Sequence, residues 1–291
     1  MYSIIQDLWF LFTFYMLIFY SFKSSCMNAS DYQYIFVTGA TGAIGEAIAR
    51  NLAHDLKNYV VLVARNKNKA QNTAEDIRSK SGNPNVKYEI VDLSSRRDIL
   101  SFADRWNLPL HVLVNNAATS PRSRTENEDG IELQFATNVL GYLWMIQAFR
   151  DTLIQSAPSR IINVASYWAG GLDPKDLEFK RRRYDNNSAY RQSKQANRML
   201  SAVLAEELNP HKVSVVSCHP GDVNSKLSND LGFGGHESPD QGAMTPVWLA
   251  QLPFDELRTG KYYAHKSVES CSFSQDLKSA RELYDICNGY V

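Results

Sequence analysis

The fold of this chain is decided by residues 34–45, which read Tyr34-Ile35-Phe36-Val37-Thr38-Gly39-Ala40-Thr41-Gly42-Ala43-Ile44-Gly45. The first four residues form an apolar run of strand length, and a helical pattern extends from the glycines to about Leu56. Glycines permit a tight turn, let the backbone approach a pyrophosphate, and leave the first N–H groups of the helix aimed at that phosphate. The stretch therefore predicts a dinucleotide-binding turn, with an ordinary capping turn as the alternative.

Strands and helices alternate through the rest of the chain. After the first strand, apolar runs of strand length lie at 59–64, 86–91, 111–114, 160–165 and 213–217. After the first helix, helical patterns lie at 69–81, 94–106, 129–155 and 188–209. Continuous apolar strands separated by helices predict a parallel sheet covered on both faces. The predicted fold class is a single doubly wound α/β domain of Rossmann type over residues 33–291.

The composition excludes few classes of protein, and its scattered cysteines favour a reduced compartment. The 31 basic residues balance the 31 acidic ones, so no global charge argues for a nucleic-acid partner. The four cysteines are spread along the chain without the spacing of metal ligands, so no metal site is predicted.

The first 23 residues differ from the remainder. All but two of the residues from Leu8 to Phe22 are apolar or aromatic, and Ile4 and Ile5 extend this run upstream. The extended run is only just long enough for a helix that spans a bilayer. We expect a hydrophobic helix that anchors the protein in a membrane, and a cleaved signal peptide without the usual basic region is the alternative. The first positive charge, Lys23, follows this run, and residues 24–32 form a linker. The positive-inside bias then predicts that the main domain faces the cytosol, and we expect the membrane to be that of the endoplasmic reticulum.

A second decisive pattern is Ser188-Ala189-Tyr190-Arg191-Gln192-Ser193-Lys194. On a helix, Tyr190 and Lys194 lie one turn apart on the same face. A nearby cation stabilises a phenolate, so the pair predicts a tyrosine whose pKa is lowered toward the range of a general acid or base. A solvated Tyr–Lys pair is the alternative.

The residues after the second strand bear on the choice of cofactor. Dinucleotide sites place an acidic residue about 20 positions after the glycines, where it binds the ribose 2′-hydroxyl. Here the sequence is Ala64-Arg65-Asn66-Lys67, with no carboxylate. A basic residue suits a 2′-phosphate, so NADP is expected, while NAD and a merely solvated Arg65 are the alternatives.

From Gln33 to its end the chain resembles the short-chain dehydrogenase/reductase family, and within it the retinol-dehydrogenase-like branch. The resemblance rests on motifs that occur in the family's order: Thr38–Gly45, Asn115–Ala118, Thr137–Gly141, Ile161–Ser166, Tyr190–Lys194, Pro220–Ser225, Thr259–Tyr263 and Ala280–Tyr284. Three positions depart from the pattern. Ala43 and Ala118 stand where glycine is usual, and Ser225 stands where threonine is commoner.

The resemblance implies hydride transfer between a nicotinamide and a carbinol or carbonyl carbon. It implies that Tyr190 exchanges the proton, that Lys194 lowers the Tyr190 pKa and holds the nicotinamide ribose, that Ser166 binds the substrate oxygen, and that Asn138 fixes a water. The implied cofactor contacts are Gly39, Thr41, Gly42, Ile44, Gly45, Arg65, Asp92, Asn115, Ala117, Tyr190, Lys194, Pro220, Gly221, Val223 and Ser225.

The substrate is expected to be a small lipophilic molecule. Residues 226–240 contain three glycines and fall where the family places its substrate lid. The membrane anchor, the lid and the aromatic Tyr167 and Trp168 together favour a retinoid- or steroid-like alcohol or carbonyl compound. A homodimer is possible in this family. A catalytically weak NADP(H)-binding regulatory protein of the same fold is the alternative function.

A basic run, Lys180-Arg181-Arg182-Arg183, precedes the Tyr190 helix. It suits either an anionic membrane surface or simple solvation.

Overall fold

The structure, a computed structural model, describes residues 32–290 and contains an eight-stranded sheet in the order β3-β2-β1-β4-β5-β6-β7-β8. The strands are β1 Gln33–Thr38, β2 Asn58–Ala64, β3 Val86–Ile90, β4 Val112–Asn115, β5 Ser159–Val164, β6 Val213–Cys218, β7 Tyr262–Ala264 and β8 Ser267–Glu269. Neighbouring strands are parallel throughout, except that β8 runs antiparallel to β7.

Helices connect the strands and cover the sheet. They are α1 Ala43–Ala53, α2 Lys67–Ser81, α3 Arg96–Arg105, α4 Leu133–Phe135, α5 Gly141–Ala148, α6 Arg150–Gln155, α7 Asn186–Leu208, α8 Lys226–Asp230, α9 Pro239–Gln251, α10 Ser272–Gln275 and α11 Leu277–Asn288. A π-helical segment, Ala136–Leu140, joins α4 to α5, and a 3₁₀ turn, Asn209–His211, follows α7.

The sheet is buried on both faces, as its continuous apolar strands predict. Phe36 and Val61 point into a core layer shared with α3, α5, α7 and α11. Ile35 and Val60, their neighbours in sequence, point into a second layer shared with α1, α2 and α9. The prediction of a single doubly wound domain with a parallel sheet is therefore confirmed for the described residues.

The predicted helix at 129–155 is wrong in its details. The chain forms a turn at residues 127–131, and α4 begins only after Glu132, whose carboxylate accepts the N–H groups of Gln134 and Phe135. The helix is interrupted at Phe149, where φ is −105° and ψ is 12°. The apolar residues keep almost the same spacing across the cap at Glu132 and the distorted residue Phe149. Hydrophobic spacing alone therefore reveals neither the start of α4 nor the break at Phe149.

The strand order places the decisive motifs at one edge of the sheet. The chain leaves β1 toward β2 and β3, then returns to add β4 on the other side of β1. Such a reversal opens a crevice at the carboxyl ends of the strands, where ligands of open α/β sheets bind. Asn115 is the last residue of β4, and the glycine turn, Ser166 and Pro220 follow the carboxyl ends of their strands.

The predicted anchor at 1–23 and nearly all of the linker at 24–32 lie outside the described residues. Among residues 32–290, no helix combines the length and apolar character that crossing a bilayer requires.

Candidate active site

Helix α7 carries both residues of the predicted catalytic pair. Asp185 caps its N-terminus by accepting the backbone N–H of Ser188 at 2.8 Å, which fixes the start of the helix just before Tyr190. The Tyr190 side chain is buried, and Lys194 is only 1% exposed. Lys194 Nζ lies 5.7 Å from the centroid of the Tyr190 ring and donates a hydrogen bond of 2.9 Å to the Val164 carbonyl. The structure thus places the two side chains together, at the carboxyl end of β5.

Burial dominates the electrostatics of this pair. It raises the pKa of Tyr190 to about 12, and a hydrogen bond with Ser166 opposes the rise. It lowers the pKa of Lys194 to about 7, because the ammonium loses its hydration. Burial therefore sets the direction of the Tyr190 pKa in this structure, and a lowering by Lys194 stays a prediction. At neutral pH the phenol is protonated and can donate its proton.

Ser166 follows the end of β5 and shares a cleft with Tyr190. Its hydroxyl hydrogen-bonds with Tyr190 and also accepts the backbone N–H of Trp168 at 3.1 Å. Its backbone carbonyl accepts a hydrogen bond from the buried guanidinium of Arg198. The Ser166 and Tyr190 hydroxyls are thereby held side by side.

Asn138 lies in the π-helical segment and is fully buried. Its Oδ1 accepts the Thr119 N–H at 2.8 Å, and its Nδ2 donates to the Thr119 carbonyl at 3.0 Å and to Ser193 Oγ at 3.3 Å. Ser193 Oγ in turn donates to the Tyr190 carbonyl at 2.7 Å. The amide ties the loop after β4 to α7, and its donors are used within the protein. The water that Asn138 was expected to fix stays a prediction.

A cleft that is open to solvent lies over these hydroxyls. One wall is formed by Ser166, Tyr167, Trp168 and Tyr190. The other wall is formed by Ile44, the residues 219–223 after β6, and the segment 225–233. The cleft therefore joins the predicted catalytic residues to the start of α1 and to the predicted lid.

The glycine turn packs tightly against the segment after β4. Gly39 has a φ of +65°, and a Cβ on it would lie 2.7 Å from Ala117 Cα. A Cβ on Gly45 would lie 2.4 Å from the Gly39 carbonyl oxygen. Ala43, in contrast, is the first residue of α1 and has a helical conformation that does not require glycine. The departure at Ala43 therefore leaves the turn intact.

The N-terminus of α1 fits a pyrophosphate. Its cap residue, Gly42, offers no side-chain hydrogen bond to the first N–H groups of the helix. Side chains cap the N-termini of α2, α3, α7, α8, α9 and α11. Uncapped N–H groups at a helix start bind anions well. The uncapped N–H donors at this end of the cleft therefore suit the pyrophosphate of a nicotinamide dinucleotide.

The residues expected at the adenosine end also lie together. Arg65 follows β2, and its guanidinium lies 3.9 Å from the Asp92 carboxylate that follows β3. The Arg65 side chain is 71% exposed, which leaves it accessible to a ligand. Asp92 also accepts the N–H and the hydroxyl of Ser94 at 2.9 and 2.7 Å.

Two expected cofactor contacts have side chains that are engaged elsewhere. Asn115 is fully buried and donates to Asn163 Oδ1 at 3.0 Å, inside the sheet. Ser225 caps α8 by accepting the N–H of Ser228 at 3.1 Å. The Asn115 amide donor and the Ser225 hydroxyl are therefore used within the protein.

The predicted lid, 226–240, consists of α8, a glycine-containing loop and the start of α9. Gly232, Gly234 and Gly235 all have positive φ angles. The Phe233 ring contacts the Trp168 ring edge-on, with 4.5 Å between their centroids. An aromatic contact thus joins this segment to the loop after β5.

Two residues of the basic run contact other side chains of the protein. The Arg182 guanidinium stacks on the Phe179 ring at 4.1 Å and donates to Gln192 at 2.6 Å. Lys180 pairs with Glu178 at 2.9 Å. Lys180, Arg181 and Arg183 are exposed and Arg182 is half-buried, so three of the four residues face solvent.

Comparison with known proteins identifies the family. The family model described as short chain dehydrogenase matches residues 33–232. The chain belongs to this family. It is 35% identical to retinol dehydrogenase 13 of Mus musculus over 271 residues, which cover 86% of this chain and 81% of that protein. It is 31% identical to polyprenol dehydrogenase of Mus musculus over 271 residues, which cover 85% of this chain and 80% of that protein.

A solved structure extends the comparison. A metagenomic short-chain oxidoreductase in complex with NADP matches with a TM-score of 0.63 and 26% identity, covering 81% of this chain and 98% of that one. The chain is therefore an oxidoreductase of the short-chain dehydrogenase/reductase family, in the retinol-dehydrogenase-like branch, and acts on CH–OH groups with a nicotinamide cofactor.

Sequence reasoning missed two residues of the site in this dehydrogenase. Arg198 lies one helical turn after Lys194 and is only 6% exposed, and His219 lines the cleft directly after β6. A basic residue on the buried face of α7 was the available signal for Arg198. His219 stands at the end of an apolar strand, where a histidine by itself indicates no role.

Proposed function

We propose that this protein is an NADP(H)-dependent oxidoreductase that transfers a hydride between the nicotinamide and a lipophilic, retinoid- or steroid-like alcohol or carbonyl compound. The observation that carries the proposal is the convergence of the Tyr190 and Ser166 hydroxyls at one cleft, with Lys194 buried beside them. In this proposal Asn138, Ser166, Tyr190 and Lys194 are the catalytic residues.

The nicotinamide supplies or accepts the hydride at the substrate carbon when it is bound. Tyr190, protonated at neutral pH, donates its proton to the oxygen of a carbonyl substrate. Ser166 donates a hydrogen bond to the same oxygen as negative charge develops there, a contribution of about 2.7 to 4 kcal/mol in comparable oxyanion sites. Lys194 has a pKa near 7, so it can hold a proton beside Tyr190 as the phenol loses its own.

The residues that would hold NADP lie along the carboxyl edge of the sheet. We assign the pyrophosphate to the start of α1, the 2′-phosphate to Arg65, the adenine to Asp92 and the nicotinamide side to residues 220–225. The exposed position of Arg65 supports this assignment, because its ion pair with Asp92 is solvated and a phosphate can compete for the guanidinium.

A lipophilic substrate is supported by the cleft and by the names of relatives. Leu227, Phe233 and Trp168 give the lid side of the cleft an apolar surface. Two relatives are named for retinol and polyprenol, which are alcohols with apolar bodies. We assign residues 226–240 the role of a substrate lid, whose glycines permit hinge motion.

We further propose that residues 1–23 form a helical membrane anchor, with the catalytic domain on the cytosolic side of the endoplasmic reticulum. The apolar run from Leu8 to Phe22 and the position of Lys23 support this proposal. An anchor would hold the cleft near the membrane in which apolar substrates concentrate.

The variant Tyr190→Phe tests the catalytic assignment. Removing the hydroxyl should lower kcat for retinal reduction by about 10²- to 10⁴-fold, the usual contribution of a general acid, while NADPH binding is retained. The measurement is NADPH oxidation by full-length protein in detergent, with fluorescence titration of NADPH as the control for folding. A wild type that binds NADPH but is as inert as the variant would instead indicate the regulatory protein.

A further inference from the structure

His219 is a buried titratable residue that the proposed mechanism does not use. It directly follows β6, lines the cleft together with Ser166 and Tyr190, and is 8% exposed. Its backbone N–H donates to the Tyr263 carbonyl at 2.8 Å, which fixes its backbone to the edge of the sheet. The side chain is therefore held at the cleft by the fold.

The hydrogen bonding of the ring determines which nitrogen carries the proton. Nδ1 accepts the backbone N–H of Tyr167 at 3.4 Å, and the Tyr167 ring meets the imidazole edge-on with 4.8 Å between centroids. A neutral imidazole whose Nδ1 accepts must carry its proton on Nε2. Within residues 32–290, Nε2 has no hydrogen-bond partner. The hydrogen-bond network thus assigns a free donor to His219.

Arg198 acts on this arrangement through one peptide group. Its guanidinium donates to the Ser166 carbonyl and, at 2.7 Å, to the Tyr262 hydroxyl, and it stacks on the Tyr262 ring at 3.7 Å. The Ser166 carbonyl and the Tyr167 N–H are the two ends of the same peptide group. A cation bound to the carbonyl polarises that group and strengthens its N–H as a donor to Nδ1.

The surroundings also keep the imidazole neutral. Burial, the neighbouring His265 and the Arg198 charge lower the pKa of His219 to about 4. The His265 ring lies edge-on to it, at 6.5 Å between centroids. At neutral pH the ring therefore offers one N–H donor without a positive charge.

We propose that His219 is a specificity-determining residue, whose Nε2–H donates a hydrogen bond to a second oxygen of the substrate, and that Arg198 is its positioning residue. The inference rests on the proposed function, in which the Tyr190 and Ser166 hydroxyls occupy both lone pairs of the reacting oxygen. The substrate class it selects is a lipophilic carbonyl compound or alcohol with an additional acceptor oxygen, in preference to one with a hydrocarbon body.

A matched pair of variants separates the two nitrogens of the ring. His219→Asn keeps an amide near the position of Nδ1, where it can accept the Tyr167 N–H, but it is too short to reach the position of Nε2. His219→Gln places an amide N–H near Nε2 and restores the donor. Both variants remain polar, and equal NADPH affinities and unfolding temperatures confirm that both are folded.

The probes are 2-decanone and isosteres in which one chain methylene is replaced by an ether oxygen, which only accepts hydrogen bonds. Full-length protein in detergent reduces each ketone with NADPH, and kcat/KM for each ether is divided by kcat/KM for 2-decanone. We expect this ratio to fall about tenfold for at least one ether position in His219→Asn, to fall in Arg198→Met, and to recover in His219→Gln. A ratio unchanged in an active His219→Asn would overturn the role of His219.

The tautomer provides a readout independent of turnover. In protein labelled with ¹⁵N-histidine, the His219 signals, identified by their loss in His219→Asn, should show a protonated Nε2 and a bare Nδ1. A protonated Nδ1 would overturn this inference and leave the proposed function standing. A wild type that binds NADPH but reduces none of the ketones would overturn the proposed function, and the inference with it.

Discussion

Lys194 brings an amino group into the core beside the reacting residues. Its Nζ donates to the Val164 carbonyl, and burial lowers its pKa from the ordinary value to about 7. In the unfolded chain the amine has its ordinary pKa and stays protonated well above neutrality. Between pH 7 and 9 the unfolded state therefore binds more protons than the folded state, so this group makes the protein more stable as the pH rises.

The variant Lys194→Met tests this electrostatic account. The free energy of unfolding of the wild type should rise relative to that of the variant between pH 7 and 9, by at most about 1.4 kcal/mol per pH unit. Denaturant titrations at pH 7, 8 and 9 measure the difference. Parallel pH profiles for the two proteins would show that Lys194 is fully charged in the folded state.

The role of a single residue was predictable from the sequence only where the residue belongs to a recognisable motif. The spacing of Tyr190 and Lys194 predicted their proximity, and the structure places them on one face of α7. The raised pKa of Tyr190 was not predicted, because it comes from burial, which the spacing of two residues does not show. Arg198 and His219 escaped prediction, because they meet only through the peptide group between Ser166 and Tyr167.

Among the elements, the turn between β1 and α1 has the strongest steric constraint. A Cβ on Gly45 would lie 2.4 Å from the Gly39 carbonyl oxygen, a backbone atom that cannot move without opening the turn. A Cβ on Gly42 would lie 3.3 Å from the same oxygen, and Gly42 is exposed with a φ of −93°. The two glycines therefore differ in how much a methyl group would disturb the turn.

Substituting each of these glycines by alanine makes a matched comparison. Gly45→Ala should weaken NADPH binding by tenfold or more, because the start of α1 must shift, whereas Gly42→Ala should weaken it only severalfold. Fluorescence titration of NADPH gives both affinities, and thermal unfolding reports any global loss of stability. Equal affinities in the two variants would contradict a turn shaped by the Gly39–Gly45 contact.

Element boundaries were less predictable than element types. Strands β1 to β6 and the helices between them follow from continuous apolar runs and helical spacing. The hairpin of β7 and β8 was not predicted, because each strand has three residues and β8 is exposed along its length. Such short strands show no periodicity that could be recognised in the sequence.

At the scale of the whole molecule, the strand order places segments that are far apart in sequence next to one another. Because β1 lies between β2 and β4, the ends of five strands line one crevice, from Arg65 after β2 to His219 after β6. The alternation of strands and helices predicts a parallel sheet, in which motifs that follow strands share one edge. The order of the strands is seen only in the structure. The distances between their side chains depend on packing and are seen only in the structure.

The proposed anchor is tested on the whole chain. Removing residues 1–30 should release an active, soluble enzyme, because the folded domain begins with β1 at Gln33. The full-length protein should resist carbonate extraction from microsomes and leave its C-terminus open to added protease. Protection of the C-terminus would place the domain in the lumen.

The central claim, NADPH-dependent reduction of a lipophilic carbonyl, is tested most directly by kcat/KM on a panel of substrates. Retinal, a steroid ketone and a short sugar aldehyde are each offered to full-length enzyme in detergent, with NADPH and with NADH. The account predicts a higher kcat/KM for retinal or the steroid than for the sugar, and a higher value with NADPH than with NADH. A kcat/KM on the sugar aldehyde equal to or above that on both apolar substrates, or a preference for NADH, would contradict it.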